Sequence, residues 1–359
     1  MSQPDKMENI TLIRGVAASL VLVIHSFLFL GYSQPYSSNI YLTSIGVDIF
    51  FILSGFIMTL AHWDDFDRGA STVVTFLKKR IVRIYPMYFI VTAVTSAVLF
   101  AAPQLFHSME YSNILLFKSL LFMPLLVETS PIFVIAVAWT LSYEILFYLI
   151  FAACLLLKRR NGLITIVCAL SIWALTGVLT KPINPVADMI LSTLPIEFIA
   201  GVLLCAYYKS ALPPLPKKTT NLTAILIIAV AISLFGAAQY QIQGTPLGDN
   251  KRALYYITPA LLIFALLFTI KLPSNLWINR TINLVGDASY SIYLTHLLTI
   301  GAIKFIAARS GAIDNIHIYI LVVTSCIICT AAGIAAHKVI EIPATKIMRS
   351  ALLNKRQKS

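Results

Sequence analysis

An arginine and a histidine lie eleven residues apart in the first apolar stretch, IRGVAASLVLVIHSF. Eleven steps of 100° return to within about 20° of the start, so Arg14 and His25 face one side of a helix, about 16 Å apart along its axis. A guanidinium can bind an anion, and a neutral imidazole can act as a general base. The alternatives are an interfacial anchor for Arg14 and a structural hydrogen bond for His25.

Two carboxylates follow in apolar surroundings. Asp48, in GVDIFFILSGF, lies about as far from the outer boundary of its segment as His25 does, so we expect the two to meet. Glu144 lies eleven residues into its own segment, where a carboxylate needs a partner or a wet cavity. A helix cap for Asp48 and a bond to another helix for Glu144 are the alternatives. The predicted catalytic group is His25, with Asp48 or Glu144 stabilising its imidazolium.

Two helix faces carry further polar groups at helical spacing. The first comprises Thr140, Glu144 and Tyr148, flanked by Trp139 and Tyr143. The second, in GDASYSIYLTHLL, comprises Ser289, Tyr293 and His296. Such faces predict a cavity wall, although hydrogen bonding between helices explains them equally well. The predicted lining residues are Ser54, Trp139, Tyr143, Tyr148, Tyr293 and His296.

Two further arginines, Arg80 and Arg83, lie one turn apart in FLKKRIVRIYPMY. Two guanidinium groups on one helical face suit a phosphate or pyrophosphate. Anionic lipid head groups would satisfy them equally well. No His and carboxylate cluster has a recognisable ligand spacing, so we predict no metal.

The elements that position these residues must be membrane helices. Of the 359 residues, 58% are hydrophobic and 12% are charged, and the mean hydropathy is +0.85. Apolar runs of about twenty residues, each able to cross a 30 Å hydrocarbon core, recur throughout. The apolar segments are 9–31, 43–62, 81–103, 113–127, 133–157, 162–180, 186–208, 221–238, 252–271, 284–307 and 316–339.

One of these segments, 113–127, is short and contains Lys118 and Pro124. We interpret it as re-entrant or interfacial, because 21 of the 27 Lys and Arg then fall on the cytoplasmic side. The prediction is an all-α integral membrane protein with about ten transmembrane helices and both termini cytoplasmic. Residues 1–345 form the transmembrane domain, and 346–359 form a basic cytoplasmic tail.

The net charge of +12 does not indicate nucleic acid, because the basic residues lie in short loops between spans. The five cysteines lie in apolar runs and are interpreted as packing residues. The expected partners are membrane lipids and a substrate. Oligomeric state does not follow from the sequence.

Six strings, in this order, resemble the acyltransferase family 3 membrane proteins over essentially the whole chain. They are Arg14 with ten residues before His25, GVDIFFILSGF, RIVRIYP, WTLSYEILFY, FIAGVLLC and GDASYSIYLTH. The tryptophan-containing string and the length are most similar to the branch that O-acetylates exopolysaccharide or O-antigen sugars.

This resemblance implies transfer of an acyl group, commonly acetyl, from cytoplasmic acetyl-CoA to a hydroxyl of an envelope glycan or lipid-linked sugar. It also implies that Arg14 and His25 belong to the site, and that Arg80 and Arg83 lie on the donor side. The expected location is a bacterial inner membrane. His25 acts either as a general base or as an acylated intermediate.

Two other classes of protein remain open at this point. Buried Arg, His, Asp and Glu are also used by proton-coupled transporters of small anionic or sugar solutes, but we detect no inverted repeat. A non-catalytic scaffold or receptor is the third class. It predicts that His25→Ala leaves activity intact.

Overall fold

The computed structural model describes residues 3–30, 42–103, 110–122, 133–180, 190–210, 225–230, 232–234, 252–270 and 276–353. All regular elements in these ranges are helical. The α-helices are α1 (Gln3–Leu30), α2 (Ile45–Ala61), α3 (Ala70–Ala101), α4 (Asn113–Leu120), α5 (Trp139–Cys154), α6 (Arg159–Leu179), α7 (Pro195–Lys209), α8 (Arg252–Thr269), α9 (Leu276–Asp287), α10 (Ser289–Arg309), α11 (Ala312–Asn315), α12 (Ile318–Ala336) and α13 (Ile342–Leu353).

Six helices in the described ranges are long and apolar enough to cross a membrane. They are Met7–Leu30, Ala70–Ala101, Ala136–Cys154, Arg159–Leu179, Ser289–Arg309 and Ile318–Leu353. Shorter apolar helices include Ile45–Ala61 and Ala253–Thr269. The all-helical integral membrane fold is therefore confirmed, and ten crossings with cytoplasmic termini stay a prediction.

The helices α2 and α7 approach each other closely through two glycines. A Cβ added to Gly201 would lie 2.0 Å from the Ile52 carbonyl oxygen, and one on Gly55 would lie 2.3 Å from that of Phe198. Only residues without a side chain permit this approach of the two backbones. Gly55 lies seven residues after Asp48 on the same helix face, and a small residue there predicts a close approach by a neighbouring helix. The structure confirms this approach, which fixes the helix that carries Ser54.

The helix α4 lies in segment 113–127, the apolar segment interpreted above as re-entrant or interfacial. It has eight residues and is therefore about 12 Å long, too short to cross a hydrocarbon core. Ser112 caps it by accepting from the Leu115 amide at 3.1 Å. Residues 123–127 of the segment lie outside the described ranges.

The helices α12 and α13 form one continuous helical segment, Ile318–Leu353. A π-helical turn, His337–Glu341, joins α12 to α13, and α13 packs back against α3. Turns of this type recur at functional sites. The predicted domain boundary at residue 345 falls inside α13, and the tail residues 354–359 lie outside the described ranges.

Candidate active site

A cavity of about 410 Å³ opens between α1, α2, α3, α5, α10 and α13. This volume is in the range of small-molecule sites. Its described wall carries one carboxylate, Glu144, and five basic side chains. The basic residues are Arg14, Lys79, Arg80, Arg83 and Arg349. The cavity is therefore suited to an anionic ligand.

Glu144 lies in this wall and is held by two hydroxyl groups. Ser54 Oγ donates to Glu144 Oε1 at 3.0 Å, and the Tyr148 hydroxyl donates to the same oxygen. Thr140, Glu144 and Tyr148 line the cavity together, as their spacing predicts. The carboxylate is half-buried and faces the cavity rather than lipid.

Arg80 is held by packing rather than by an opposite charge. Its guanidinium carbon lies 5.6 Å from the ring centroid of Phe76 and 5.7 Å from that of Tyr148. One Nη contacts Met58 Sδ at 3.2 Å, and the buried Nε has no hydrogen-bond partner in the described structure. Because no described carboxylate pairs with it, its charge is available to a ligand.

Arg83 belongs to a network centred on Glu341. Its Nη1 donates to Glu341 Oε1 at 2.7 Å, and its guanidinium lies over Tyr290, 5.3 Å from the ring centroid. Glu341 Oε2 accepts from Ser291 Oγ at 2.7 Å and contacts His337 Nδ1 at 2.8 Å. Sequence reasoning missed Glu341, because the last apolar segment was drawn only to residue 339.

Arg14 lines the cavity from α1 and is partly buried. Within the described ranges it makes no hydrogen bond or ion pair. Arg14 and Arg80 thus give the cavity two guanidinium groups that form no ion pair with a described carboxylate.

Tyr293 and Thr140 line the cavity, and Tyr293 links it to the two histidines. Their hydroxyl oxygens are 2.8 Å apart, and the Val137 carbonyl oxygen lies 3.0 Å from Thr140 Oγ1 and 3.3 Å from the Tyr293 hydroxyl oxygen. The Tyr293 and His296 ring centroids are 5.9 Å apart. Neither histidine is among the residues that line the cavity.

His25 and His296 form a pair of tilted rings with centroids 4.9 Å apart and an interplanar angle of 59°. His25 is half-buried, and His296 is 1% exposed. His25 Nδ1 lies 2.8 Å from the Val21 carbonyl, and His296 Nδ1 lies 2.7 Å from that of Tyr293. The sequence predicts His25 as a catalytic residue and His296 as a lining residue, but it does not predict that they contact each other.

The structure does not bring either predicted carboxylate to His25. In the described ranges, the hydrogen bond of His25 is to the Val21 carbonyl of its own helix. Asp48 is fully buried in the first turn of α2, and Glu144 turns toward Ser54. Similar depth in the membrane does not bring two side chains together, because contact also depends on the rotation of each helix about its axis.

The predicted lining residues divide into two groups. Ser54, Tyr148 and Tyr293 line the cavity, whereas Trp139, Tyr143 and His296 do not. The buried Tyr143 stacks on Trp173 with ring centroids 5.5 Å apart, and Trp139 packs edge-on against Tyr143. These two aromatic residues therefore support the helix that carries Glu144.

His62, at the end of α2, is a buried residue that sequence reasoning missed. Its Nδ1 lies 2.7 Å from Asp65 Oδ2, and its ring packs edge-on against Phe76, which lies under Arg80. Burial lowers the pKa of His62, and the hydrogen bond to Asp65 opposes that shift. A histidine followed by aspartate at i+3 was the available signal.

Comparison with known proteins now identifies the class. A family model described as an acyltransferase domain matches residues 7–334. The chain belongs to the acyltransferase family 3 membrane proteins. The resemblance read from the six strings is therefore confirmed, and the protein is a membrane O-acyltransferase.

Three related proteins show which members of the family this chain is similar to. The exopolysaccharide production protein ExoZ of Rhizobium meliloti is 30% identical over 307 residues, which cover 83% of this chain and 88% of ExoZ. Protein 2 in the picA locus of Rhizobium radiobacter is 36% identical over 96 residues, 27% of this chain and 47% of that protein. Acyltransferase MdmB of Streptomyces mycarofaciens is 27% identical over 168 residues, 43% of this chain and 41% of MdmB. No solved structure matches the chain.

Proposed function

We propose that this family 3 acyltransferase moves an acetyl group from cytoplasmic acetyl-CoA to a hydroxyl of a bacterial surface polysaccharide in the inner membrane. The acceptor is an exopolysaccharide or O-antigen sugar, free or lipid-linked. The observation that carries the proposal is a cavity with five basic side chains, of which only Arg83 forms an ion pair in the described ranges, in a chain of this family. The similarity to ExoZ supports the exopolysaccharide acceptor.

The donor's phosphates would bind the basic side chains of the cavity. Coenzyme A carries several phosphate groups, and guanidinium groups form bidentate, charge-assisted hydrogen bonds with phosphate. Arg14 and Arg80 have free donors for this purpose, whereas Arg83 is already fixed by Glu341. Mutual repulsion among the basic groups falls when an anion binds between them.

The thioester would approach His25 along the wall formed by Tyr293 and Thr140. These two residues line the cavity, and the Tyr293 ring contacts His296, which in turn contacts His25. Donor binding and chemistry then occupy opposite sides of one tyrosine. A side-chain movement of Tyr293 would bring the two together.

The chemical step needs a base for the acceptor hydroxyl. His25 Nε2 takes the hydroxyl proton while the acceptor oxygen attacks the thioester carbonyl carbon. The carbon–sulfur bond breaks, and the coenzyme A thiolate takes the proton from His25. An acylated His25 that transfers the group in a second step gives the same products.

The test compares the envelope glycan of cells with and without the protein by NMR. We expect O-acetyl signals to disappear on deletion and to return with the wild-type gene but not with His25→Ala. Equal O-acetyl content in all three strains would overturn the proposal. Purified protein given labelled acetyl-CoA separates the transporter alternative, because a transporter neither transfers nor hydrolyses the acetyl group.

A further inference from the structure

The contact between His25 and His296 suggests a partner for His25 that is not a carboxylate. The ring centroids are 4.9 Å apart, although the residues lie on different helices, α1 and α10. His296 is 1% exposed, and its Nε2 is buried without a hydrogen-bond partner in the described structure. A buried nitrogen that makes no hydrogen bond carries a free-energy cost, so its retention needs a reason.

The backbone contacts fix which nitrogen of each ring carries hydrogen. A carbonyl oxygen only accepts, so the Nδ1 atoms that contact Val21 and Tyr293 carbonyls must both donate. Each neutral ring therefore has its lone pair on Nε2. His25, which is half-buried, can present its lone pair to a substrate, whereas His296 is too buried to do so.

We propose that His296 positions and stabilises His25 as the second member of an imidazole pair. This inference rests on the proposed function, because it concerns the proton that His25 removes from the acceptor hydroxyl. When that proton arrives, His25 becomes an imidazolium, and the Nε2 lone pair of the neutral His296 ring stabilises the positive charge on the adjacent ring. A neutral imidazole then takes the role that the sequence assigned to Asp48 or Glu144.

The proton balance of the pair closes over one turnover. The hydroxyl proton moves to His25, stays there while the acceptor oxygen attacks the thioester, and leaves with the coenzyme A thiolate. Both imidazoles end in their starting tautomers, and no other reactant is required. Because His296 does not contact the substrate, it acts only through His25.

Other titratable groups lie on helices packed against α1, but none bonds to His25 in the described ranges. They include Asp48 on α2, Tyr255 and Tyr256 on α8, Arg280 and Asp287 on α9, Tyr290, Tyr293, Lys304 and Arg309 on α10, and Tyr319, Cys326 and Cys329 on α12. The hydrogen bond of Cys326 is with Ser26, and that of Tyr293 is with Thr140. His296 is therefore the described titratable side chain whose ring contacts the His25 ring.

Two near-isosteric variants test the role of His296 Nε2. His296→Gln keeps an oxygen acceptor near the Nε2 position, whereas His296→Asn keeps only a donor near the Nδ1 position. The measurement is the ¹⁵N NMR titration of ring nitrogens in the full-length, histidine-labelled protein in lipid, with His25 assigned by substitution. We expect the protonation midpoint of His25 to fall by about one pH unit in His296→Asn and to stay near the wild-type value in His296→Gln.

Kinetics with acetyl-CoA supply the second readout. In His296→Asn we expect kcat to fall about tenfold with an unchanged KM for acetyl-CoA, because the donor cavity does not include His296. His296→Gln should recover most of that loss. The exposed His317, changed to Asn, is the matched control and should alter neither quantity.

Identical His25 titration in wild type and His296→Asn, including no protonation in either, would overturn the pair. Acetyl transfer without a difference in the His25 midpoint would contradict the imidazole pair but not the proposed function. A midpoint difference in a protein that transfers no acetyl group would contradict the proposed function but not the imidazole pair.

Discussion

The cavity and the histidine pair share helices α1 and α10 but are formed by different kinds of side chain. The cavity wall is charged, with five basic side chains and one carboxylate. The histidine pair is made of two rings bound to backbone carbonyls of their own helices, and no described carboxylate touches it. A tyrosine and a threonine, joined by one hydrogen bond, lie between the two regions.

This difference indicates that the two regions have separate roles, anion binding in the cavity and proton transfer at the histidine pair. Permanent charge suits binding of an anion, because guanidinium groups keep their charge at every working pH. An imidazole suits proton transfer, because it must be neutral at one moment and charged at the next. Substitutions in the two regions should therefore change different kinetic constants.

The largest effect is expected from His25→Ala. Removing the base should lower kcat for acetyl transfer by about 10²–10⁴ and leave the KM for acetyl-CoA unchanged. The assay is release of coenzyme A from acetyl-CoA in the presence of membranes that contain the acceptor. His317→Ala is the control for loss of a histidine. A His25→Ala protein with normal kcat would show that the pair is structural.

Arg80→Gln should produce the complementary result. Loss of a charge-assisted contact to phosphate should raise the KM for acetyl-CoA about 10- to 100-fold with little change in kcat. The exposed Arg160, changed to Gln, removes the same charge away from the cavity and should have no effect. Equal KM values for the two variants would contradict the assignment of the cavity to the donor.

Packing behind the cavity gives a smaller effect, on stability. Gly201→Ala places a Cβ 2.0 Å from the Ile52 carbonyl and should lower the free energy of unfolding by about 1–3 kcal/mol. Gly301→Ala meets nothing within 4 Å and should stabilise its helix by up to about 1 kcal/mol. Thermal unfolding in detergent compares them. An equal loss of stability in the two variants would contradict this prediction, because the close α2–α7 contact would then not determine the cost of the added methyl group.

His62 gives the smallest effect, which depends on pH. Its pKa is lowered in the folded state, so between the unfolded value near 6.5 and the lowered folded value the unfolded chain binds more protons. Stability should therefore fall as pH drops through this window. His62→Asn, which retains a donor for Asp65, should lose less stability over the same window. Parallel pH dependence of the unfolding midpoints in both proteins would contradict this.

Local spacing made part of the site predictable. Thr140, Glu144 and Tyr148 line one wall because residues four apart share a helix face. The short helix at Asn113–Leu120 follows from a segment that is too short and too polar to span. The small residue at Gly55 likewise indicated a close helix contact, which Gly201 completes.

Contacts between distant segments could not be predicted in this way. Arg83 and Glu341 are 258 residues apart, and their meeting depends on how α3 and the π-turn are rotated. The same holds for His25 and His296, whose pairing replaces the expected contact with Asp48 or Glu144. Sequence spacing gives the face of one helix, but only packing decides which faces oppose each other.

Equilibrium binding of acetyl-CoA to purified protein in lipid tests the separation of the two regions most directly. We expect His25→Ala to bind acetyl-CoA with the affinity of the wild type, and Arg80→Gln to bind it about 10- to 100-fold more weakly. The reverse pattern, in which His25→Ala loses binding while Arg80→Gln retains it, would contradict a donor site in the basic cavity with chemistry at His25.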